Sequence, residues 1–292
     1  MDGTFKFADF IAGWFGGLCG VVVGHPLDTI KVRQQNFGTN LFVAISRTFR
    51  HEGPPGFFKG MLCPLLTIGP SNAILFGVYG NLLHLTLDNY QPRKISHTDC
   101  EALRHVFVAG TVGGFFQAIF VCPAELIKTL MQIRTGGGGS WRRHSEVAYS
   151  GSIDAFFGIV RDRGVRGLFR GFVPMAIRDV PTSGLYTMTY EALNSYFEQC
   201  HVPLMLKQTI AGGAAGVASW IFVIPFDVVK SRIQADSYNH PVYNGMLDCF
   251  YKSYQKDGLG IFFKGAPAIM LRTFPVNAAL FVGYEAVLRH LE

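Results

Sequence analysis

The stretch Pro26-Leu27-Asp28-Thr29-Ile30-Lys31-Val32-Arg33-Gln34-Gln35 closes a long apolar, glycine-rich segment, and it constrains the whole chain because it returns twice. Pro123-Ala124-Glu125-Leu126-Ile127-Lys128 runs on to Gln132, and Pro225-Phe226-Asp227-Val228-Val229-Lys230 runs on to Gln234. Each copy has an acid two residues after the proline, a base five after and a glutamine nine after. The copies recur about every 100 residues, the mark of an internal repeat.

Composition decides what kind of repeat this is. The 292 residues are 49% hydrophobic and 16% charged, with a mean hydropathy of +0.25. That is too apolar for three free-standing soluble units, and 34 glycines suit close-packed membrane helices. The net charge of +6 comes with no Lys/Arg run beyond a pair. It reads as positive charge flanking membrane spans rather than as a nucleic-acid surface. The six cysteines (Cys19, Cys63, Cys100, Cys122, Cys200, Cys249) show no CxxC and no metal spacing. Buried free thiols are expected. Met1 to Phe10 lacks an Arg-rich presequence, so an organellar address would be internal.

Taken in order, Phe7–Gln35 reads as one long helix. Gly13 and Gly17 share a face that admits a neighbouring backbone, and the pair recurs at Gly110/Gly114 and Gly212/Gly216. Pro26, Pro123 and Pro225 are expected to bend three odd-numbered helices at one depth. Short amphipathic helices follow at about 41–50, 153–161 and 246–254. Each leads to a second turn: Glu52-Gly53 to Phe58-Lys59-Gly60, Arg163-Gly164 to Phe169-Arg170-Gly171, and Asp257-Gly258 to Phe263-Lys264-Gly265. Gly136–Gly139 is a flexible tract. Even-numbered helices are expected over Pro64–Leu87, Pro174–Gln199 and Pro267–Leu291, aligned by Pro70, Pro181 and Pro275. Six spans long enough to cross a bilayer result. The fold class is all-α membrane protein, with repeats over 1–90, 101–200 and 204–292.

Charges at membrane depth are costly unless paired. In a threefold ring the acids and bases pair between neighbours: Asp28 with Lys128, Glu125 with Lys230, and Asp227 with Lys31. Gln35, Gln132 and Gln234 lie one turn further along and can brace the pairs. The ring is either a gate that opens or a permanent set of ties between helices.

Three complete Pro-x-acid-x-x-base motifs, three aromatic-base-Gly turns and a six-helix layout make the chain resemble the mitochondrial carrier family. The resemblance covers nearly the whole chain, and within the family it is similar to the carnitine/acylcarnitine and basic amino-acid branch. It implies a pseudo-threefold six-helix barrel in the mitochondrial inner membrane. The barrel opens alternately to either side, and the charged ring forms its matrix gate. The family's outer gate is an aromatic-acid-x-x-base motif, degraded here. Tyr190-Glu191 and Tyr284-Glu285 keep aromatic and acid, but Asn194 and Leu288 replace the bases, and Tyr79-Gly80 lacks the acid. A weak outer gate, closed by apolar packing and isolated hydrogen bonds, is expected to favour uniport or loosely coupled exchange.

The resemblance also implies three substrate contacts on the even helices: Thr67 with Ser71 nearby, Arg178-Asp179, and Arg272. Arg178 and Arg272 can each take a carboxylate with two parallel hydrogen bonds, and Asp179 can face an ammonium. As sequence neighbours on a helix, Arg178 and Asp179 diverge by about 100° and need not meet; mutual neutralisation is the alternative. Trp220 and Tyr186 either face a trimethylammonium group or pack. His25 either touches substrate or sits in the gate. The expected substrate is a carnitine-like or methylated amino-acid zwitterion, with a basic amino acid or an acylcarnitine as the alternative. A transport-inactive membrane adaptor is the remote one. No enzyme motif, metal site or cofactor is expected. Structural cardiolipin is implied at Gly60, Gly171 and Gly265 and at Gly151 and Gly245. The protein is expected to act as a monomer.

Overall fold

The computed structural model describes residues 7–86, 99–134, 149–199, 223–237 and 241–291. Trp220, Gly212, Gly216 and the Gly136–Gly139 tract lie outside them, as does the Glu285 side chain. The described elements are helical: α1 (Phe7–Phe37), α2 (Leu41–Glu52), α3 (Leu62–Thr86), α4 (Cys100–Ile133), α5 (Ser152–Gly167) and α6 (Phe172–Gln199) come first. Then follow α7 (223–235), α8 (Met246–Asp257) and α9 (Ala266–Leu291). Among the described residues, Pro54–Thr86, Cys100–Ile133 and Leu259–Tyr284 are long and apolar enough to cross a membrane.

The motif prolines fall inside helices. Pro26 and Pro123 lie inside α1 and α4, and Pro70, Pro181 and Pro275 inside α3, α6 and α9. Each removes one backbone donor without ending its helix.

The short helices owe their limits to glycine. α2 and α8 end at Gly53 (φ 67°) and Gly258 (φ 71°), and Gly164 makes the same bend at φ 67° inside α5. A left-handed backbone there costs glycine little and other residues much. The buried residues of these helices are four apart and recur by position: Ala44 and Thr48, Ala155 and Ile159, Cys249 and Ser253. Burial pushes the Cys249 thiol up to about 11, so it is inert at neutral pH. Cys63 and Cys122 are also buried free thiols, whereas Cys100 is exposed.

Contacts divide the chain into two units. The first comprises Met1–Pro70, Cys122–Gly171 and Val228–Glu292. In it α1 packs on α9, so the chain's first and last helices meet. The glycines responsible differ from the expected pair. A Cβ on Gly13 would meet nothing, and one on Gly17 would meet the Ile68 side chain. On Gly16 it would stand 2.6 Å from the Leu280 carbonyl, and on Gly24 3.0 Å from Arg272 Nε. The stripe that admits α9 is therefore Gly16, Gly20 and Gly24, one residue round the helix from the expected face. Two apolar clusters hold the short helices down in this unit. One gathers Cys63, Leu126, Ile127, Met131, Ala155, Ile159 and Leu168; the other gathers Val229, Cys249, Ile261 and Phe262.

The second unit comprises Ser71–Val121 and Phe172–Asp227. Here the expected glycines do the packing: Gly110 faces Thr187 and Gly184, and Gly114 faces Ser183. Its core is Tyr79, Leu83, Ala102, Val106 and Ala109.

Candidate functional site

Of the motif charges on α1, α4 and α7, Asp28, Asp227 and Lys230 are buried and Lys31, Glu125 and Lys128 half-buried, and burial favours pairing. Asp28 Oδ2 accepts from Lys128 Nζ at 2.7 Å, and Lys230 pairs with Glu125. Both are expected ring pairs, and both lie in the first unit. Asp227 falls in the second unit, where Arg178 Nη1 donates to it; its expected partner Lys31 is a residue of the first. Two of the three glutamines depart from expectation. Gln132 Nε2 donates to Thr29 Oγ1 at 3.1 Å, and Gln234 Oε1 accepts from Thr129 Oγ1 at 3.1 Å. They bridge adjacent odd helices through hydroxyls rather than bracing the ion pairs.

The glycines of the second turn explain why that turn repeats. A Cβ on Gly60 would sit 3.0 Å from the Lys128 carbonyl, on Gly171 2.8 Å from Gln234 Cγ, and on Gly265 3.2 Å from Lys31 Cγ. Each turn presses on the charged stretch of the next odd helix. The base before each glycine grips the segment beyond that stretch. Lys59 donates to the Arg134 carbonyl, Arg170 to Asp236 and Lys264 to Asn40 Oδ1. Gly151 and Gly245 precede α5 and α8 as their N-caps.

Sequence reasoning missed a pair of buried arginine brackets. Arg33 donates from Nε to the Gln132 carbonyl at 2.9 Å, from Nη1 to Thr48 Oγ1 at 2.7 Å, and from Nη2 to Glu52 at 2.9 Å. Arg232 repeats the pattern on the Gln35 carbonyl, Ser253 and Asp257 at 3.0, 2.7 and 2.9 Å. The second repeat has Leu130, Ile159 and Arg163 at the three side-chain positions, and Ile159 is buried there with Leu130 packed against it. The signal was the joint replacement of base, hydroxyl and acid in one repeat out of three.

The expected substrate residues differ in how fully they are occupied. In the first unit Arg272 Nη1 donates to Asp28 Oδ1 at 2.9 Å, while its Nε is buried without a hydrogen-bond partner. Two bases, Lys128 and Arg272, thus share one acid. His25 Nε2–H donates to the Lys59 carbonyl at 2.9 Å, which leaves Nδ1 as a buried, unpartnered acceptor. Thr67 returns its hydroxyl to the Cys63 carbonyl.

In the second unit Arg178 does meet Asp179, from Nε to Oδ1 at 2.5 Å and Nη2 to Oδ2 at 2.8 Å. The long guanidinium arm reaches round the 100° divergence. Nη1 of the same guanidinium donates to Asp227. Ser71 is buried. Tyr186 stacks on Tyr190, centroids 6.3 Å apart and planes at 13°, so its ring is at least partly a packing surface. Tyr79 OH donates to Glu191 Oε1 at 3.4 Å, a long bond. Tyr284 is half-buried on α9, beside Gly16 of α1. Among the described residues, no group of three His, Cys, Asp or Glu is placed to hold a metal ion.

Comparison with known proteins identifies the repeats. The family described as Mitochondrial carrier protein matches residues 4–90, 101–200 and 203–292. Solute carrier family 25 member 45 of Mus musculus is 42% identical over 285 residues, 96% of this chain and 98% of the relative. Solute carrier family 25 member 48 of Bos taurus is 38% identical over 309 residues, 98% of this chain and 96% of the relative. The mitochondrial basic amino acids transporter of Homo sapiens is 38% identical over 294 residues, 97% of this chain and 90% of the relative.

Proposed function

The chain belongs to the mitochondrial carrier family, and on that premise we propose that it moves a solute bearing both a carboxylate and a cationic nitrogen, carnitine-like or a methylated amino acid. It is a multi-pass transporter of the mitochondrial inner membrane, not an enzyme.

One observation carries the substrate reading: the contrast between the two arginine clusters. Where Lys128 and Arg272 share Asp28, a further anion is welcome, and Arg272 Nε has no partner. Beside Arg178, Asp179 keeps 28% of its side chain exposed, and a further cation can reach it there. A dicarboxylate offers the Asp179 carboxylate only repulsion. His25 and Tyr186 are auxiliary contacts in this reading, and Thr67 and Ser71 line the third position.

A basic amino acid is the second reading. Asp227, joined to Asp179 through Arg178, supplies the second acid that such a substrate favours. A relative at 38% identity carries the name of a basic amino acids transporter. The degraded outer-gate motif, with Asn194 and Leu288 at the base positions and Gly80 at an acid position, supports uniport or loosely coupled exchange. Cardiolipin at the helix starts near Gly60, Gly171 and Gly265 is part of the proposal.

The test is uptake by purified protein in cardiolipin-containing liposomes. Carnitine, acetylcarnitine, trimethyllysine, choline, arginine, ornithine and a dicarboxylate are offered, with Asp179→Asn alongside. Uptake of a zwitterion by wild type, reduced at least tenfold in Asp179→Asn, is expected. Whether trimethyllysine or arginine leads decides between the two readings. Dicarboxylate uptake that survives Asp179→Asn would contradict both.

A further inference from the structure

We propose that the ends of α1, α4 and α7 beyond the motif prolines part between α4 and α7, and that the Arg170–Asp236 ion pair is the latch on that seam. The α1–α4 and α7–α1 seams act as hinges. All the residues involved belong to the first unit, and the proposal holds whatever solute the protein carries.

Each seam joins one odd helix to the next, and the three are built differently. Across α1–α4, Arg33 Nε donates to the Gln132 carbonyl while the same guanidinium holds Thr48 and Glu52 of α2. Across α7–α1, Arg232 does the same for the Gln35 carbonyl and for Ser253 and Asp257 of α8. Each arginine fastens three elements at once and is buried, Arg33 at 0% and Arg232 at 6% exposure. Parting such a seam strands a charged donor and a helix-end carbonyl where water is scarce. Across α4–α7 the equivalent residue is Leu130, which has no donor to offer the Gln234 carbonyl. Ile159 and Arg163 stand in place of the hydroxyl and the acid. Apolar packing holds α5 to α4 there, and nothing in that packing reaches across to α7.

What ties α4 to α7 can be released. Thr129 Oγ1 donates to Gln234 Oε1, a bond between neutral groups, and Lys230 pairs with the half-buried Glu125. At the second turn Arg170 Nη2 donates to Asp236 Oδ2 at 3.1 Å. Asp236 also accepts from the backbone N–H groups of Ser237, Val242 and Tyr243. When Arg170 leaves, those donors remain and keep the buried carboxylate satisfied. The Arg170 side chain is 16% exposed, so water can take up its nitrogens. The corresponding ties run from Lys59 to the Arg134 carbonyl and from Lys264 to Asn40. They sit on seams that an arginine bracket already closes, so losing either leaves the bracket in place.

Phe42, Ile153 and Leu247 are exposed and hold equivalent positions on α2, α5 and α8. Spin labels are introduced there in pairs through a noncanonical amino acid, which leaves the native cysteines unlabelled. Pulsed electron paramagnetic resonance measures the distance distributions in the full chain, solute-free, in cardiolipin-containing nanodiscs. The pair at Ile153 and Leu247, across α4–α7, is expected to give the broadest distribution, with a second, longer component. The pairs at Phe42 and Ile153 and at Phe42 and Leu247 are expected to stay narrow. Arg170→Gln is expected to enlarge the longer component about threefold or more, since a hydrogen bond between charged groups is worth about tenfold or more in such an equilibrium. Lys59→Gln and Lys264→Gln are expected to leave all three distributions unchanged. Copying the bracket into the second repeat, with Leu130→Arg, Ile159→Thr and Arg163→Glu together, is expected to remove the longer component.

Equal distributions across the three seams overturn the proposal, and so does a broadest distribution at either bracketed seam. An Arg170→Gln variant that leaves the Ile153–Leu247 distribution unchanged overturns the latch. If the triple variant does not fold, the Arg170, Lys59 and Lys264 variants decide alone. No solute is added, so none of these outcomes bears on the substrate class.

Discussion

Replacing Arg272 by Ala is expected to lower the apparent affinity for a carboxylate-bearing solute about 100-fold in proteoliposomes, with a smaller change in maximal rate. The side chain has one nitrogen on Asp28 and a buried Nε with no partner. A substrate carboxylate that takes two of its donors gains two charge-assisted bonds, each worth about 1.5–3 kcal/mol. Losing them together accounts for two orders of magnitude even when the sum is discounted for non-additivity. Asp28 keeps Lys128 after the change, so that ion pair persists and the effect falls on binding. Arg272→Lys should recover only part of the loss, because an ammonium offers a point charge without the fork. Gly24→Ala is expected to act in the same direction: its Cβ would stand 3.0 Å from Arg272 Nε and 2.7 Å from Val276. KM and maximal rate measured separately decide the matter. A fall in maximal rate alone, with KM unchanged, would remove Arg272 from the binding site.

The second large effect concerns stability. Arg33→Leu is expected to destabilise the protein by about 3–5 kcal/mol, the cost of removing one partner from a buried charged network. The change orphans the Gln132 carbonyl and Thr48 as well as loosening Glu52. The chain supplies its own control. In the second repeat the equivalent places hold Leu130 and Ile159, packed in an apolar cluster. Adding Thr48→Ile to Arg33→Leu should therefore regain part of the loss, since well-packed apolar groups can replace a buried ion pair at little cost. Glu52 remains paired with Lys59 in that double variant. Thermal unfolding followed by tryptophan fluorescence measures both. A single variant within about 0.5 kcal/mol of wild type would show that the bracket is incidental.

These two predictions differ in how far the sequence announced them. Arg272 was proposed because the family resemblance implies a substrate contact there, at the position aligned with Thr67 and Arg178 three residues before a proline. Arg33 was not, because its partners become visible only when the three repeats are compared position by position. The helices, their prolines and the pairs Asp28–Lys128 and Glu125–Lys230 followed from periodicity and the cost of unpaired charge at depth. The glycine stripe on α1 was off by one residue, from Gly13/Gly17 to Gly16/Gly20/Gly24. Spacing identifies a face that admits a backbone but not which of two adjacent faces a neighbour uses. Arg178 and Asp179 meet where helical geometry alone would part them, because an arginine has enough rotatable bonds to fold back on its neighbour. Gln132 and Gln234 turned to Thr29 and Thr129 since hydroxyls on the adjacent helices lay within reach.

The near-balance of buried ion pairs also fits their use as a gate. A buried ion pair is repaid only in part for its lost hydration, so such a pair can hold helices together without fixing them irreversibly. A binding event of ordinary strength can then shift the equilibrium between closed and open.

The central claim is that the solute carries a carboxylate and a cation at once. The most direct test is the unfolding temperature of the purified wild-type protein with and without saturating solute, since a ligand of the folded state raises it by mass action. The account predicts that trimethyllysine or arginine raises it while a dicarboxylate and choline leave it unchanged. A rise with the dicarboxylate and none with either zwitterion would contradict it.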